Sequence, residues 1–383
     1  MVEILEVGIA FLVVAAGGYV AHNARLSVIP AYIVVGMLVG PYGLGIVKSS
    51  ELIRFMAEVG VILLLLFLGL EFSLKRLVES RKNLLIAGSI DLVINFSTGL
   101  ILGLALGWSV LEAALLAGIV YMSSSGIITK ALIDLRRIVN PETEVILGIM
   151  VFEDLFIALF LAVISGAALA GTTEASVVLA SVFKALIFCA AFLIIAKKYS
   201  NIVDRAISIK SDEIFLLFLF SAAILVSAAA QRIGVSGAIG AFFLGLAFSE
   251  TRHVQRIERK IVPLRDLFAS MFFFSFGMLI NVSTFPQVFK IAIAIIPLLV
   301  LSKVISGYLA AMVQDFPAKT SLFVGFSTVA RGEFSVVLAS FGVAAGVTPL
   351  LYPLTAIIVL VTSTLGILLM SMSDAVYRVL ARA

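Results

Sequence analysis

Apolar residues run along this chain for about twenty positions at a time, separated by short polar stretches. The runs show neither the alternation of a half-buried strand nor the single apolar stripe of a surface helix. Helical segments of that length match the hydrocarbon thickness of a bilayer. The pattern predicts thirteen, at roughly 4–22, 28–46, 53–72, 83–107, 110–134, 143–166, 176–196, 212–231, 234–250, 264–280, 286–311, 318–344 and 350–374. The second and ninth are short and glycine-rich. The expected fold is an all-α polytopic membrane protein, one transmembrane domain over 1–383, with no soluble regulatory domain on either side.

Composition agrees. Of the 383 residues 62% are hydrophobic and 13% charged, against about 25% charged in soluble domains. A net charge of +4 gives no reason to expect nucleic acid as a partner. The single cysteine, Cys189, excludes an intrachain disulfide and reads as an apolar filler. The start, MVEILEVGIAFL, lacks a basic leader, so the first span is expected to remain as an anchor. With the N-terminus outside, the thirteen spans put 19 basic residues in inside loops and 4 (Lys48, Arg54, Arg232, Lys290) outside. That asymmetry fits the positive-inside rule and predicts a cytoplasmic C-terminus.

The two halves resemble each other at a near-constant offset. LLLFLGLEF at 64–72 aligns with FFFSFGMLI at 272–280, and GIVYMSSSGIITKAL at 118–132 with GFSTVARGEFSVVLA at 325–339. VGMLVG at 35–40 aligns with GAFFLG at 240–245. These pair span 2 with 9, 3 with 10 and 5 with 12. A shift by an odd number of spans reverses direction, which predicts an inverted-topology repeat, a plan common among secondary transporters. Spans 5 and 12 carry polar interruptions, YMSSSG at 121–126 and STVARGEF at 327–334. These predict two broken helices, with unwound backbone lining a polar cavity.

The charges inside spans carry the candidate chemistry. VFEDLFIAL at 151–159 sets Glu153 and Asp154 in the middle of span 6, where each ionised carboxylate costs about 2.5–3.5 kcal/mol on insertion scales. Adjacent helical residues point about 100° apart, so the two acids address different surroundings. Lys303, deep in span 11, is the natural partner for one of them, and paired with Glu153 it can stay charged at moderate cost. Arg331 and Glu333 in the second interruption can neutralise each other or the half-helix ends. Glu71 ends span 3, either facing the cavity or sitting at the interface, and Asp91 in span 4 is given no assignment. Lys130 and Lys184 are expected to reach towards water. A buried carboxylate can hold a proton or offer a hard oxygen ligand to a small cation. If only loaded states cross, exchange of cation for proton follows.

As a set, FLGLEF, YMSSSG, FEDLF, FSFGMLI, the span-11 lysine and ARGEF resemble the monovalent cation:proton antiporter-2 family over the whole chain. That family contains sodium/proton antiporters with an acidic pair and Kef-type potassium/proton exchangers. The resemblance implies an elevator-type antiporter without a cofactor, in a prokaryotic plasma membrane, as a homodimer with no soluble partner. Spans 1–3 and 8–10 would form the dimerisation part, and 83–166 with 286–374 the mobile core, in which the two broken helices, spans 5 and 12, would cross near the carboxylates. It implies Asp154 as the ion- and proton-binding residue for Na⁺ or K⁺, Glu153 at the variable position before it, and Lys303 as that position's partner. Ser124, Ser125 and Thr129 would lend oxygens. Sodium-type members carry Asp at the position of Glu153 and Kef-type members typically Gln. With Lys303 present and no nucleotide-binding domain following, the sequence favours Na⁺ over K⁺. The alternatives are a cation channel, an organic-anion symporter of related fold, which the acidic pair disfavours, and an intramembrane aspartyl protease. The last needs two opposed aspartates rather than two neighbours.

Overall fold

The structure, a computed structural model, describes residues 2–24, 26–48, 51–71, 81–170, 183, 187, 204, 207–232, 237–249, 251–344 and 346–381. The described residues contain helices and no strand. In chain order the helices are α1 (Val2–Asn23), α2 (Val28–Val39), α3 (Glu51–Glu71), α4 (Arg81–Ala105), α5 (Val110–Tyr121), α6 (Ser125–Asp134), α7 (Glu142–Ala170), α8 (Asp212–Arg232), α9 (Gly237–Ser249) and α10 (Val254–Met278). A 3-10 turn (Val282–Thr284) leads into α11 (Phe285–Met312), followed by α12 (Ala318–Ser327), α13 (Glu333–Ala344) and α14 (Leu351–Leu380). Eight stretches among the described residues are long and apolar enough to cross a membrane, Val110–Asp134 counted as one.

The polarity is inverted relative to a soluble protein. Ile293 and Leu12 are 71% and 70% exposed, whereas Asp91, Lys303 and Arg331 are 0% exposed. A lipid-facing surface wants apolar side chains outside, and buried charges then need partners inside.

The helices pack in two groups. α1, α2, α3, α8, α9 and α10 lie against one another, as do α4–α7 and α11–α14. In the first group glycines let backbones touch. A β-carbon at Gly36 of α2 would strike the Phe274 carbonyl of α10, and one at Gly69 of α3 would strike the Phe242 carbonyl of α9. Such approaches give helix pairs dispersion contact without a hydrophobic driving force. The groups meet through contacts such as the stacked rings of Phe276 and Tyr352, 4.7 Å between centroids. At the start of α5 the Ser109 amide donates to Glu112 Oε2 at 2.8 Å and the Glu112 amide donates to Ser109 Oγ at 3.3 Å, a reciprocal cap. The Thr348 amide donates to Glu112 Oε1 at 2.7 Å, fixing this end to the loop before α14.

The two largest departures from the hydropathy reading are in α10 and α2, and α14 also runs on to Leu380, six residues past the expected 374. α10 begins at Val254, ten residues before the expected 264. Its polar start, VQRIERKIVP, forms good helix, and Arg256 Nη2 pairs with Asp212 Oδ1 at 2.7 Å. An apolarity criterion sees only the lipid-crossing part of such a helix. α2 stops at Val39, because the chain turns back at Gly40 and the Val47 amide donates to the Val39 carbonyl at 3.0 Å. The predicted span 176–196 lies outside the described residues except for positions 183 and 187.

Candidate functional site

α7 carries both central acids, and they have unlike surroundings. Glu153 is 1% exposed. Its Oε1 accepts from Lys303 Nζ at 2.5 Å and from Ser123 Oγ at 2.8 Å, and its Oε2 accepts from the Ser123 amide at 2.6 Å. Asp154 is half-buried and has no hydrogen-bond partner among the described residues. Its electrostatic neighbours are the carboxylates of Glu153, Glu71 and Glu333. Glu71, the last residue of α3, is exposed.

Lys303 of α11 reaches a second acid as well. Its Nζ donates to Asp91 Oδ2 at 2.6 Å, so one ammonium joins carboxylates on α4 and α7. Asp91 Oδ1 accepts from Ser306 Oγ at 2.6 Å and from Asn95 Nδ2 at 2.9 Å. Ser302 Oγ donates to Asn95 Oδ1 at 2.9 Å. Sequence reasoning passed over Asp91, Asn95, Ser302 and Ser306. A readable signal exists: polar residues four apart, on Asp91/Asn95 and Ser302/Ser306, stripe one face of each of two apolar helices.

The two polar interruptions meet. α5 ends at Tyr121 and α6 starts at Ser125, while α12 ends at Ser327 and α13 starts at Glu333. The Ser124 amide donates to the Ala330 carbonyl at 2.8 Å. Ser123 Oγ donates to the Thr328 carbonyl at 3.0 Å as well as to Glu153. Gly332 is required here, since a β-carbon would collide with the Ser124 side chain. Helix C-termini leave carbonyls without intrahelical partners. Arg331, wholly buried, supplies them. Its Nε and Nη2 donate to the Val120 carbonyl at 2.9 and 2.6 Å, and its Nη1 donates to the carbonyls of Thr328, at 3.3 Å, and Val329. Ser335 Oγ takes the Ile119 carbonyl at 2.8 Å.

Arg331 and Glu333 do not pair with each other. The guanidinium, in the non-helical stretch, turns to the negative ends of α5 and α12. Glu333, at the start of α13, accepts from Ser124 Oγ at 2.8 Å. Ser125 and Thr129, half-buried on α6, hydrogen-bond to none of these acids. Among the described residues no three His, Cys, Asp or Glu side chains converge as a metal cluster.

The site thus divides in two. One part is a buried lattice in which Glu153 and Asp91 have three donors each, and the other is Asp154, which has no hydrogen-bond partner among the described residues and lies beside further acids. Comparison with known proteins gives this arrangement a context. Residues 8–371 match the family described as sodium/hydrogen exchanger, transmembrane. The chain is 41% identical over 384 residues to the K⁺/H⁺ antiporter subunit KhtU of Bacillus subtilis (strain 168), with 98% of this chain and 95% of that one covered. It is 30% identical over 378 residues to the ammonium/H⁺ antiporter subunit AmhT of Alkalihalophilus pseudofirmus, covering 98% and 94%. The solved structure of the sodium proton antiporter MjNhaP1 from Methanocaldococcus jannaschii at pH 8 shares the fold, with a TM-score of 0.72 at 18% identity over 97% of this chain and 98% of that one. The chain belongs to the sodium/hydrogen exchanger transmembrane family.

Proposed function

We propose that this protein is a secondary antiporter that exchanges a monovalent cation for protons across a cell membrane, and not an enzyme. The observation that carries the reading is the contrast within α7: among the described residues Asp154 has no hydrogen-bond partner, beside a saturated Glu153. A carboxylate left free in an apolar helix can be loaded by a proton or by a cation, but not by both. The empty anion is the costly state to carry across hydrocarbon. Competition at Asp154 then couples the two fluxes.

K⁺ is the cation to test first. The two relatives named above carry K⁺ and ammonium in their names, ions of similar size. Na⁺ is the second reading, favoured by the ammonium of Lys303 on Glu153, since a lysine partner is the sodium-type arrangement.

The packing supports an elevator. α4–α7 with α11–α14 would move as the core, against a frame of α1–α3 and α8–α10 that also forms a homodimer. The joined interruptions at 122–124 and 328–332 are read as the crossing midpoints of two broken helices, held by Arg331. The inverted repeat is supported by Gly69 and Gly277, equivalent in the alignment: Gly69 packs on Gly245 of α9, and Gly277 lies against Gly36 of α2. The N-terminus is placed outside and the C-terminus in the cytoplasm, on the charge asymmetry.

The test is exchange in proteoliposomes carrying an internal acid load and a pH-sensitive dye. K⁺, Na⁺ and Li⁺ are added outside in turn. A dye response to a cation establishes antiport and names the ion. Cation-independent conductance would replace this reading by a channel.

A further inference from the structure

The buried lattice contains one more acid than pairing Glu153 requires. Asp91, 0% exposed on α4, takes the Lys303 ammonium at 2.6 Å, hardly further than Glu153 at 2.5 Å. Its remaining donors, Asn95 and Ser306, are neutral and sit on the two helices, α4 and α11, that the lattice ties together. None of them belongs to an interruption. Glu153 differs, since two of its three donor groups are the amide and hydroxyl of Ser123 in the interruption after α5. Asp91 therefore keeps its geometry when Ser123 and Glu153 rearrange. Charge agrees. Lys303 alone cannot neutralise two carboxylates, and among the described residues Arg331 is a second buried cation within electrostatic range of both.

We propose that Asp91 is a second counter-ion of Lys303, a positioning residue that holds the ammonium in place when Glu153 is replaced by a neutral side chain or turns away. A neutral residue at position 153 is tolerable because Asp91 stands behind it, and Asp91 becomes essential only when Glu153 is neutral. The transport readout of this inference rests on the antiport reading; its stability readout does not.

The experiment is a double-mutant cycle on Asp91→Asn and Glu153→Gln, reading exchange rate and melting temperature in detergent. Each single variant is expected to melt close to wild type and to keep measurable exchange. The double variant is expected to fall below the product of the single effects by about tenfold or more, as contacting groups that share a partner do. Its melting temperature should drop by more than the sum, because a buried ammonium is left without an anion. Adding Lys303→Gln to the double variant should restore the melting temperature, which no packing role of Asp91 would predict. Independent effects in the cycle, or a melting temperature that Lys303→Gln leaves low, would overturn the proposal. If wild type shows no exchange but the melting temperatures couple and recover as described, the antiport reading fails and Asp91 as counter-ion stands.

Discussion

Glu153 and Asp154 are neighbours in sequence with opposite fates. Glu153 faces α11 and the interruption after α5, where an ammonium, a hydroxyl and an amide saturate it. Asp154, rotated about 100° around the same helix, meets no donor among the described residues and has other acids for company. The difference teaches how one helix serves two needs. A membrane protein can bury a charge if it completes the partners, and it can keep a charge reactive only by leaving partners out. The saturated side builds a rigid block from α4, α7, α11 and the two interruptions. The bare side is what that block holds in place.

The sharpest way to break the contrast is Asp154→Asn. The amide keeps the volume and removes the carboxylate that the proposed mechanism loads with a proton or a cation. Exchange is expected to fall to background in proteoliposomes. The melting temperature is expected to stay near wild type, because no hydrogen bond to a described residue is lost. Normal exchange in this variant would end the competition mechanism.

On the saturated side the ranking reverses, with stability suffering before activity. Lys303→Ala leaves Asp91 and Glu153 buried without their shared cation. Breaking such a set by removing one partner typically costs about 3–5 kcal/mol. A large drop in melting temperature, with some exchange remaining, is the expected result. A stable Lys303→Ala protein would mean that the two acids are neutral in the resting state. Arg331→Lys comes next. It keeps the charge but cannot fork between the Val120 carbonyl and the carbonyls at the end of α12. Each buried carbonyl left unpaired costs about 1–3 kcal/mol, so a loss of about 2 kcal/mol is expected by chemical or thermal unfolding.

The same contrast explains what could be read from the sequence. Residue pairs whose meaning lies in cost were legible. Two acids and a lysine inside apolar runs demand explanation, and the approach of Lys303 to one of the two needs only the assumption that buried charges pair, while the choice of Glu153 comes from the family resemblance. Asp91 was not assigned because its partner is 212 positions away and had already been given to Glu153. Arg331 was partly legible. The nearest acid in sequence, Glu333, was one offered partner, and the half-helix ends were the other. The structure selects the second, through backbone carbonyls that no side-chain pattern displays. The polar start of α10 was missed because hydropathy measures what lipid tolerates, and helix formation by VQRIERKIVP needs no lipid.

The finest test compares two adjacent serines. Ser123→Ala removes the hydroxyl that donates to Glu153 Oε1 and to the Thr328 carbonyl, and leaves the amide bond to Oε2. Each acceptor loses one donor and keeps another, Glu153 the Ser123 amide and Lys303, and the Thr328 carbonyl the Arg331 guanidinium, so a loss of about 1 kcal/mol is expected. Ser124→Ala removes the hydroxyl held by Glu333, a half-buried acid on the Asp154 side. Water can replace that donor, and stability should move less than for Ser123→Ala. The effect belongs instead in transport. Glu333 freed from Ser124 is a stronger rival anion beside Asp154, and the apparent affinity for the cation should change while the maximal rate holds. If Ser124→Ala proves the more destabilising of the two, the division of the site into a saturated side and a bare side is misplaced by one residue of chain, and the bare side begins at Asp154 alone.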